Sequence, residues 1–516
     1  MPMNDLYIHD LGTAFRSVAA ANLSRPALRY PDGKVVNYGE LDRLSDQLAG
    51  ALLELGVRRQ EVVGILSNKS PRAYASLLAC LKIGAIYTNL DVTSPWTRLE
   101  KIVDRCDPTL ILYDDADPTV LDGLAAQRRR VKALASPELD ELLARPEQTR
   151  VGGIEVTGAD PAYVMFTSGS TGFPKGAVMS HSNVLNFIRW GQTTFGLTPD
   201  DVLTNVNPVY FDNSVFDVYV GLFSGASICP IVADAMDGPK AIVETVSGLG
   251  CTIWFSVPSF LVYLLTTKAL DADDFAAMRC IVFGGEGFPK PKLAKLHQLF
   301  GSRARLVNVY GPTECTCICS AYDITDEDFE DMTNLAPLGR LAPNFDHYID
   351  PLDVHDPDYG ELWLGGPNVG LGYYNDPDRT AAAFVPNPTQ TNYRTVMYRT
   401  GDLVRRDGHG RLHFKGRADN QIKHMGYRIE LEEIEAGLNS LPAVQEAAVV
   451  YHSEHGPAGR ILAYVAADET VTQREILTAL SKVLPPYMLP RKVEIMGQLP
   501  KNRNGKIDRV SLKELA

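Results

Sequence analysis

Short apolar runs rich in β-branched residues recur along the chain, at Val62–Leu66, Leu110–Tyr113, Tyr163–Phe166, Cys280–Phe283 and Leu306–Tyr310. Continuous apolar runs of this length predict strands buried on both faces. Helical patterns lie between several of them. Over Tyr38–Leu55, the residues Leu41, Leu44, Leu48, Ala51, Leu52 and Leu55 fall on one face. Strands alternating with helices predict mainly parallel sheets covered by helices, an α/β architecture.

After about residue 330 the texture changes. Glycine and proline become dense at Asp356-Pro-Asp-Tyr-Gly360, Gly365-Gly-Pro367 and Pro386-Asn-Pro388, which predicts turns and shorter β elements. From Asp419 onward, two helix-like patterns, Leu431–Leu441 and Thr472–Leu484, flank the apolar run Ala447–Tyr451. The expected layout is a large N-terminal domain over 1–418, β-rich from about 330, followed by a small α+β domain over 419–516.

Composition narrows the classes. The chain has 516 residues and a formal charge of −13, which argues against the basic footprint of non-specific nucleic-acid binding. The run Arg128–Arg130 reads as a solvated face. No apolar stretch reaches the roughly 18–20 residues of a membrane span. The start, Met1 to Phe15, lacks the basic-then-apolar layout of a secretory signal, so the cytoplasm is the expected compartment. Eight cysteines in a chain this long do not make a disulfide scaffold. The triplet Cys315-Thr-Cys317-Ile-Cys319 has a spacing of two, expected to put all three on one side of a strand. Zinc sites prefer wider spacing and further partners, so buried thiols beside a pocket are expected.

The strongest chemical signal is Tyr163-Val-Met-Phe-Thr167-Ser-Gly-Ser-Thr-Gly172-Phe-Pro-Lys175-Gly176. An apolar strand runs into a loop of hydroxyls and glycines and then a lysine. Glycines let backbone N–H groups approach phosphate oxygens, hydroxyls add donors, and the lysine supplies charge. It is not a Walker A loop, because Pro174 stands where that pattern wants glycine before its lysine.

This loop resembles the phosphate loop of the acyl-adenylate-forming superfamily, which includes acyl-CoA synthetases, luciferases and the adenylation domains of non-ribosomal peptide synthesis. Further blocks similar to that family's follow in order. They are Phe211-Asp212-Asn-Ser214, Asn308-Val-Tyr310-Gly-Pro-Thr-Glu314, Gly360-Glu-Leu-Trp-Leu-Gly-Gly366 and Tyr398-Arg-Thr-Gly-Asp402-Leu403. Next come Gly416-Arg417-Ala-Asp419-Asn-Gln-Ile-Lys423, Gly426 to Glu435, and Pro500-Lys-Asn-Arg-Asn504-Gly505-Lys506-Ile-Asp508. With Asn37-Tyr-Gly-Glu-Leu41 they span nearly the whole chain.

The resemblance implies an ATP site built from Thr167, Ser168, Gly169, Ser170, Thr171, Gly172, Lys175, Gly285, Glu286, Asn308, Tyr310, Gly311, Thr313, Asp402, Arg417 and Lys423. Each assignment has a physical counterpart. Asn308 can bond the adenine amino edge, Tyr310 offers a face for stacking, and Asp402 can accept both ribose hydroxyls. Glu314 is a hard oxygen ligand suited to the Mg2+ that accompanies ATP. Lys506 is implied as the catalytic residue. It would neutralise the charge that develops when a carboxylate attacks the ATP α-phosphorus. Asp419 falls where the family places the hinge of a mobile C-terminal domain.

Asp212 points to the substrate. A carboxylate inside an otherwise apolar acid pocket is costly unless it meets a cation, and an ammonium group satisfies it. The family's pocket positions carry over as Asp212, Asn213, Phe216, Phe255, Val282, Gly284, Val309, Cys317 and Ile318. Beyond Asp212 this lining is apolar apart from Asn213, which implies a small or medium neutral amino acid, alanine- or proline-like. Trp254–Phe260 and Gly284-Gly285-Glu286 are similar to D-alanine–carrier-protein ligases. The sequence runs only to Ala516 after Lys506, so the expected acceptor is the phosphopantetheine thiol of a separate carrier protein. Arg491, Lys492, Lys501, Arg503 and Arg509 are candidates for its landing site. The alternative is an acyl- or aryl-CoA ligase using free coenzyme A. A catalytically silent relative would be expected to lose Lys506, Glu314 or the phosphate loop. His424-Met425 departs from the family's usual Ile/Leu-Arg pair before Gly426.

Overall fold

The computed structural model describes residues 8–114, 116–145, 154–169, 172–232, 236–452, 459–467, 471–501 and 507–515. The apolar runs form strands as their pattern predicts: Val62–Leu66, Leu110–Tyr113, Pro161–Thr167, Cys280–Gly284 and Arg305–Tyr310. The helix Tyr38–Glu54 starts in a reciprocal cap between Asn37 and Glu40, and buries Leu41, Leu48 and Leu52.

Two sheets make the large domain. In the first, the parallel strands run in the order Arg305–Tyr310, Cys280–Gly284, Ile253–Ser256, Val202–Asn205, Ser227–Pro230 and Pro26–Arg29. Antiparallel strands close both edges. In the second, Pro161–Thr167, Ile86–Leu90, Val62–Leu66, Leu110–Tyr113 and Val131–Ala133 are parallel neighbours. There Pro161–Thr167 also pairs antiparallel with Lys175–Ser180, so the phosphate loop is the turn of a hairpin. One continuous apolar core joins the two sheets through Phe15, Tyr38, Phe187, Phe216 and Tyr219. A third sheet, around Tyr359–Gly365 and Val396–Arg406, is wholly antiparallel and occupies the glycine- and proline-rich part of the chain.

The C-terminal part opens with the hairpin Gln421–His424 and Tyr427–Glu430. The helix Leu431–Asn439 follows, then the strands Val444–His452, Arg460–Ala467 and Lys492–Met496 with the helix Gln473–Leu480. These pack around their own core of Ile434, Leu438, Val449, Val465 and Leu480. At the hairpin tip Met425 and Gly426 both have positive φ, 52° and 87°. That is the backbone a two-residue turn needs to match strand twist, and it places a non-glycine residue in the left-handed region.

The cysteine triplet departs from expectation. Thr313–Cys315 is a single 3-10 turn, and Thr316 and Cys317 have φ of 60° and 73°. The strand begins only at Ser320. Gly311 explains the turn: a Cβ there would lie 2.3 Å from the Cys317 carbonyl oxygen, so the chain folds back on itself where only glycine fits. All three thiols are buried, and burial holds each of them well above the ordinary thiol pKa. Among the described residues no cluster of three or more His, Cys, Asp or Glu could hold a metal, and no helix is long and apolar enough to cross a membrane.

Candidate active site

The carboxyl ends of the parallel strands carry the site, as open α/β sheets generally arrange it. Val202–Asn205 leads to Asp212, Cys280–Gly284 to Gly285 and Glu286, and Arg305–Tyr310 to Gly311, Thr313 and Glu314. The phosphate loop faces them from the second sheet.

Asp212 is enclosed, and its Oδ2 accepts a 2.7 Å hydrogen bond from the Thr313 hydroxyl. Burial pushes its carboxyl above the ordinary value, and the Thr313 bond only partly opposes this. Behind it Phe216, Phe255, Val282, Val309, Cys317 and Ile318 pack into the main core. The Phe216 and Phe255 rings meet edge to face at 5.1 Å. A Cβ on Gly284 would lie 2.3 Å from the Val309 carbonyl oxygen, so this wall admits no larger residue. Of the nine pocket positions, Asp212 and Asn213 border the cavity of about 790 Å3 that runs to Met425, Tyr427 and Tyr487 of the C-terminal domain.

Glu314 is fully buried, with Oε1 accepting from the Tyr373 hydroxyl and Oε2 from Arg428 Nη1, both at 2.7 Å. Burial alone would raise this carboxyl, but Arg428 and Lys175 outweigh it and hold the pKa down at about 2. Asn308 donates Nδ2 to the Pro337 carbonyl at 2.8 Å. The Tyr310 hydroxyl donates to Asp402 Oδ2 at 2.6 Å, and Arg417 Nη1 donates to Asp402 Oδ1 at 2.7 Å. Arg417 also pairs with both oxygens of Asp419. Lys423 Nζ sits 5.9 Å from the Tyr310 ring centre. Glu286 accepts from the backbone N–H groups of Ser259 and Gly426. The predicted residues Ser170, Thr171 and Lys506 lie outside the described residues, as does Arg503.

Four groups that sequence reasoning gave no role also converge here: Arg98, Arg428, Glu430 and Glu433. The last three fall inside a recognised block, where the dense charge of Arg428-Ile-Glu-Leu-Glu-Glu433 was the available signal. Three of the landing-site candidates are already partnered within their own domain: Lys492 with Glu494, Lys501 with Glu446, and Arg509 with Glu435 at 2.8 Å.

Residues 15–374 match the family model of the AMP-binding enzymes, and residues 433–506 match that of the AMP-binding enzyme C-terminal domain. This chain belongs to the AMP-binding enzyme family. It is 32% identical over 514 residues to an L-proline–[L-prolyl-carrier protein] ligase of Streptomyces coelicolor, covering 96% of this chain and 94% of that protein. It is 31% identical over 519 residues to a D-alanine–D-alanyl carrier protein ligase of Lacticaseibacillus rhamnosus, covering 98% and 99%. It also matches nonribosomal peptide synthases, of whose length it spans 20% or less. A solved nonribosomal peptide synthetase protein with adenylation and PCP domains superposes with a TM-score of 0.84 at 26% identity, over 99% of this chain and 85% of that one. The α/β architecture read from the sequence is therefore that of adenylation-domain structures.

Proposed function

We propose that the chain adenylates a small or medium neutral amino acid, alanine- or proline-like, and passes the aminoacyl group to the phosphopantetheine thiol of a carrier protein. Asp212 carries the reading. It is a buried carboxylate with one hydroxyl donor and no ion pair to a described cation, set at the edge of an apolar wall. A substrate ammonium group supplies the missing charge.

In the first step a carboxylate oxygen of the amino acid attacks the ATP α-phosphorus, and pyrophosphate leaves. Asp212 fixes the amino end, so the carboxylate is presented toward the phosphate loop. Asn308, Tyr310 and Asp402 are placed to hold adenine and ribose. Glu314 is a hard, ionised oxygen donor and would hold Mg2+, which supplies charge neutralisation on the phosphates. Its place is open to the ion only when Arg428 withdraws. Lys506 is assigned by resemblance to the charge forming at the α-phosphorus. In the second step the thiol sulfur attacks the acyl carbonyl carbon, and AMP leaves with the bonding electrons. The cavity between Asp212 and the hairpin tip supports entry of a thin pantetheine arm.

The acceptor is tested by offering the activated amino acid to holo-carrier proteins and to free coenzyme A, with the thioester product measured by mass. The reading predicts loading of a carrier, whereas transfer only to coenzyme A contradicts it. The hairpin tip gives a companion prediction. A Cβ on Gly426 would lie 2.9 Å from Val257 Cγ2, at a φ of 87° that side chains disfavour. Gly426→Ala is expected to slow loading at least about tenfold, the rate equivalent of ~1.4 kcal/mol of strain. Pyrophosphate exchange, which does not need this contact, should stay within about twofold.

A further inference from the structure

The C-terminal hairpin and the start of the helix after it lie directly on the phosphate loop. The Ser168 hydroxyl donates to the Arg428 carbonyl at 2.6 Å and accepts the Glu430 N–H at 3.1 Å. The Gly169 N–H donates to Glu433 Oε2 at 3.2 Å, and Lys175 Nζ stands 3.4 Å from Glu430 Oε1. On the opposite side Arg428 Nη1 is on Glu314. Glu433 is held from behind by Arg98, whose Nε lies 3.3 Å from Oε1, with both side chains buried. A Cβ on Gly172 would lie 2.7 Å from that of Ala436, so the loop must be glycine for the helix to come this close.

These contacts share one charge pattern. Two carboxylates sit on the N–H and lysine of a phosphate-binding loop, and a cation sits on the carboxylate suited to a metal. Nucleotide phosphates and their cation would present the same charges to the same groups. We propose that Glu430 and Glu433 stand in for the outer phosphates of ATP and Arg428 for its cation, with Arg98 as the positioning residue for Glu433. The docked arrangement and bound ATP·Mg2+ then exclude each other. An adenylate, which has no outer phosphates, is tolerated, since neither glutamate bonds Asn308, Tyr310 or Asp402. The charge left exposed when pyrophosphate departs is what draws the C-terminal domain down. The inference rests on the ATP-using reading above but not on which acid is activated.

An intramolecular competitor lowers apparent ligand affinity by the fraction of molecules it closes. The test is calorimetric titration of the full chain with ATP·Mg2+ and with AMP, without amino acid, in wild type, Glu433→Gln, Glu433→Asp and Arg98→Met. Glu433→Gln and Arg98→Met are each expected to bind ATP·Mg2+ at least about fivefold more tightly, the lower end of ordinary site coupling. AMP affinity should stay within about twofold, and Glu433→Asp, which keeps the charge, should remain nearer wild type. The two residues lie in different domains, so a shared gain does not arise from local damage to either. Unchanged or weaker ATP·Mg2+ binding in both variants, or an equal gain for AMP, overturns the proposal. Because no amino acid is present, failure to activate one in exchange assays leaves this result standing.

Discussion

Asp212→Asn is expected to lower kcat/KM for the amino acid by about a hundred- to three-thousandfold in pyrophosphate exchange. Removing one partner of a buried charge pair costs roughly 3–5 kcal/mol, because the other charge is left desolvated and unpaired, and each ~1.4 kcal/mol is a factor of ten. Asparagine keeps the shape and can still accept from the Thr313 hydroxyl, so the loss reports charge rather than packing. KM for ATP should move little. The pH profile adds a second readout. Burial raises the Asp212 carboxyl in the free protein, while a bound ammonium group favours the ionised form. Amino-acid KM should therefore rise as pH falls through the raised value, and this dependence should vanish in the variant. Stability carries the opposite sign: a carboxyl raised by folding weakens the substrate-free protein as pH rises through its titration. Added amino acid should recover that loss in wild type alone. A variant with unchanged amino-acid KM would remove the case for an ammonium subsite.

Glu314→Gln is the second large effect. The wild-type carboxylate is where Tyr373, Arg428 and Lys175 converge, and it is the hard oxygen proposed for Mg2+. Loss of one preorganised electrostatic contact at a reacting centre costs about 10²–10³ in kcat, and a metal ligand belongs at the upper end. The expected result is a fall of about a thousandfold in exchange, a higher Mg2+ concentration at half-saturation, and amino-acid KM within about threefold. Acid stability gives an independent check. With its folded value depressed to about 2 from 4.5, the carboxylate stabilises the fold above the ordinary range, and that contribution is lost as pH falls toward about 2. The glutamine variant should lack this component of acid unfolding. Unchanged Mg2+ dependence would leave Glu314 a purely structural partner of Arg428.

Parts of this architecture were legible because local pattern and global packing agree. Val62–Leu66 and Leu110–Tyr113 are apolar, β-branched and bounded by polar turns, and they lie in the middle of a parallel sheet where both faces are covered. The phosphate loop was legible because glycine, hydroxyl and lysine chemistry is written within a few residues of one strand. The cysteine triplet was not, because alternation resembles a strand whether or not the backbone is extended, and close approach at Gly311 decides for a turn. The contacts of Arg428 with Glu314 and of Glu433 with Arg98 were illegible for a different reason. They join residues separated by 114 and 335 positions and depend on how one domain settles on another, which no local pattern encodes.

The most direct measurement is exchange of labelled pyrophosphate into ATP, run over a panel of amino acids alongside simple fatty and aryl acids. The account predicts that a small or medium neutral amino acid drives exchange and that acids without an amine do not. Exchange driven only by amine-free acids would contradict it.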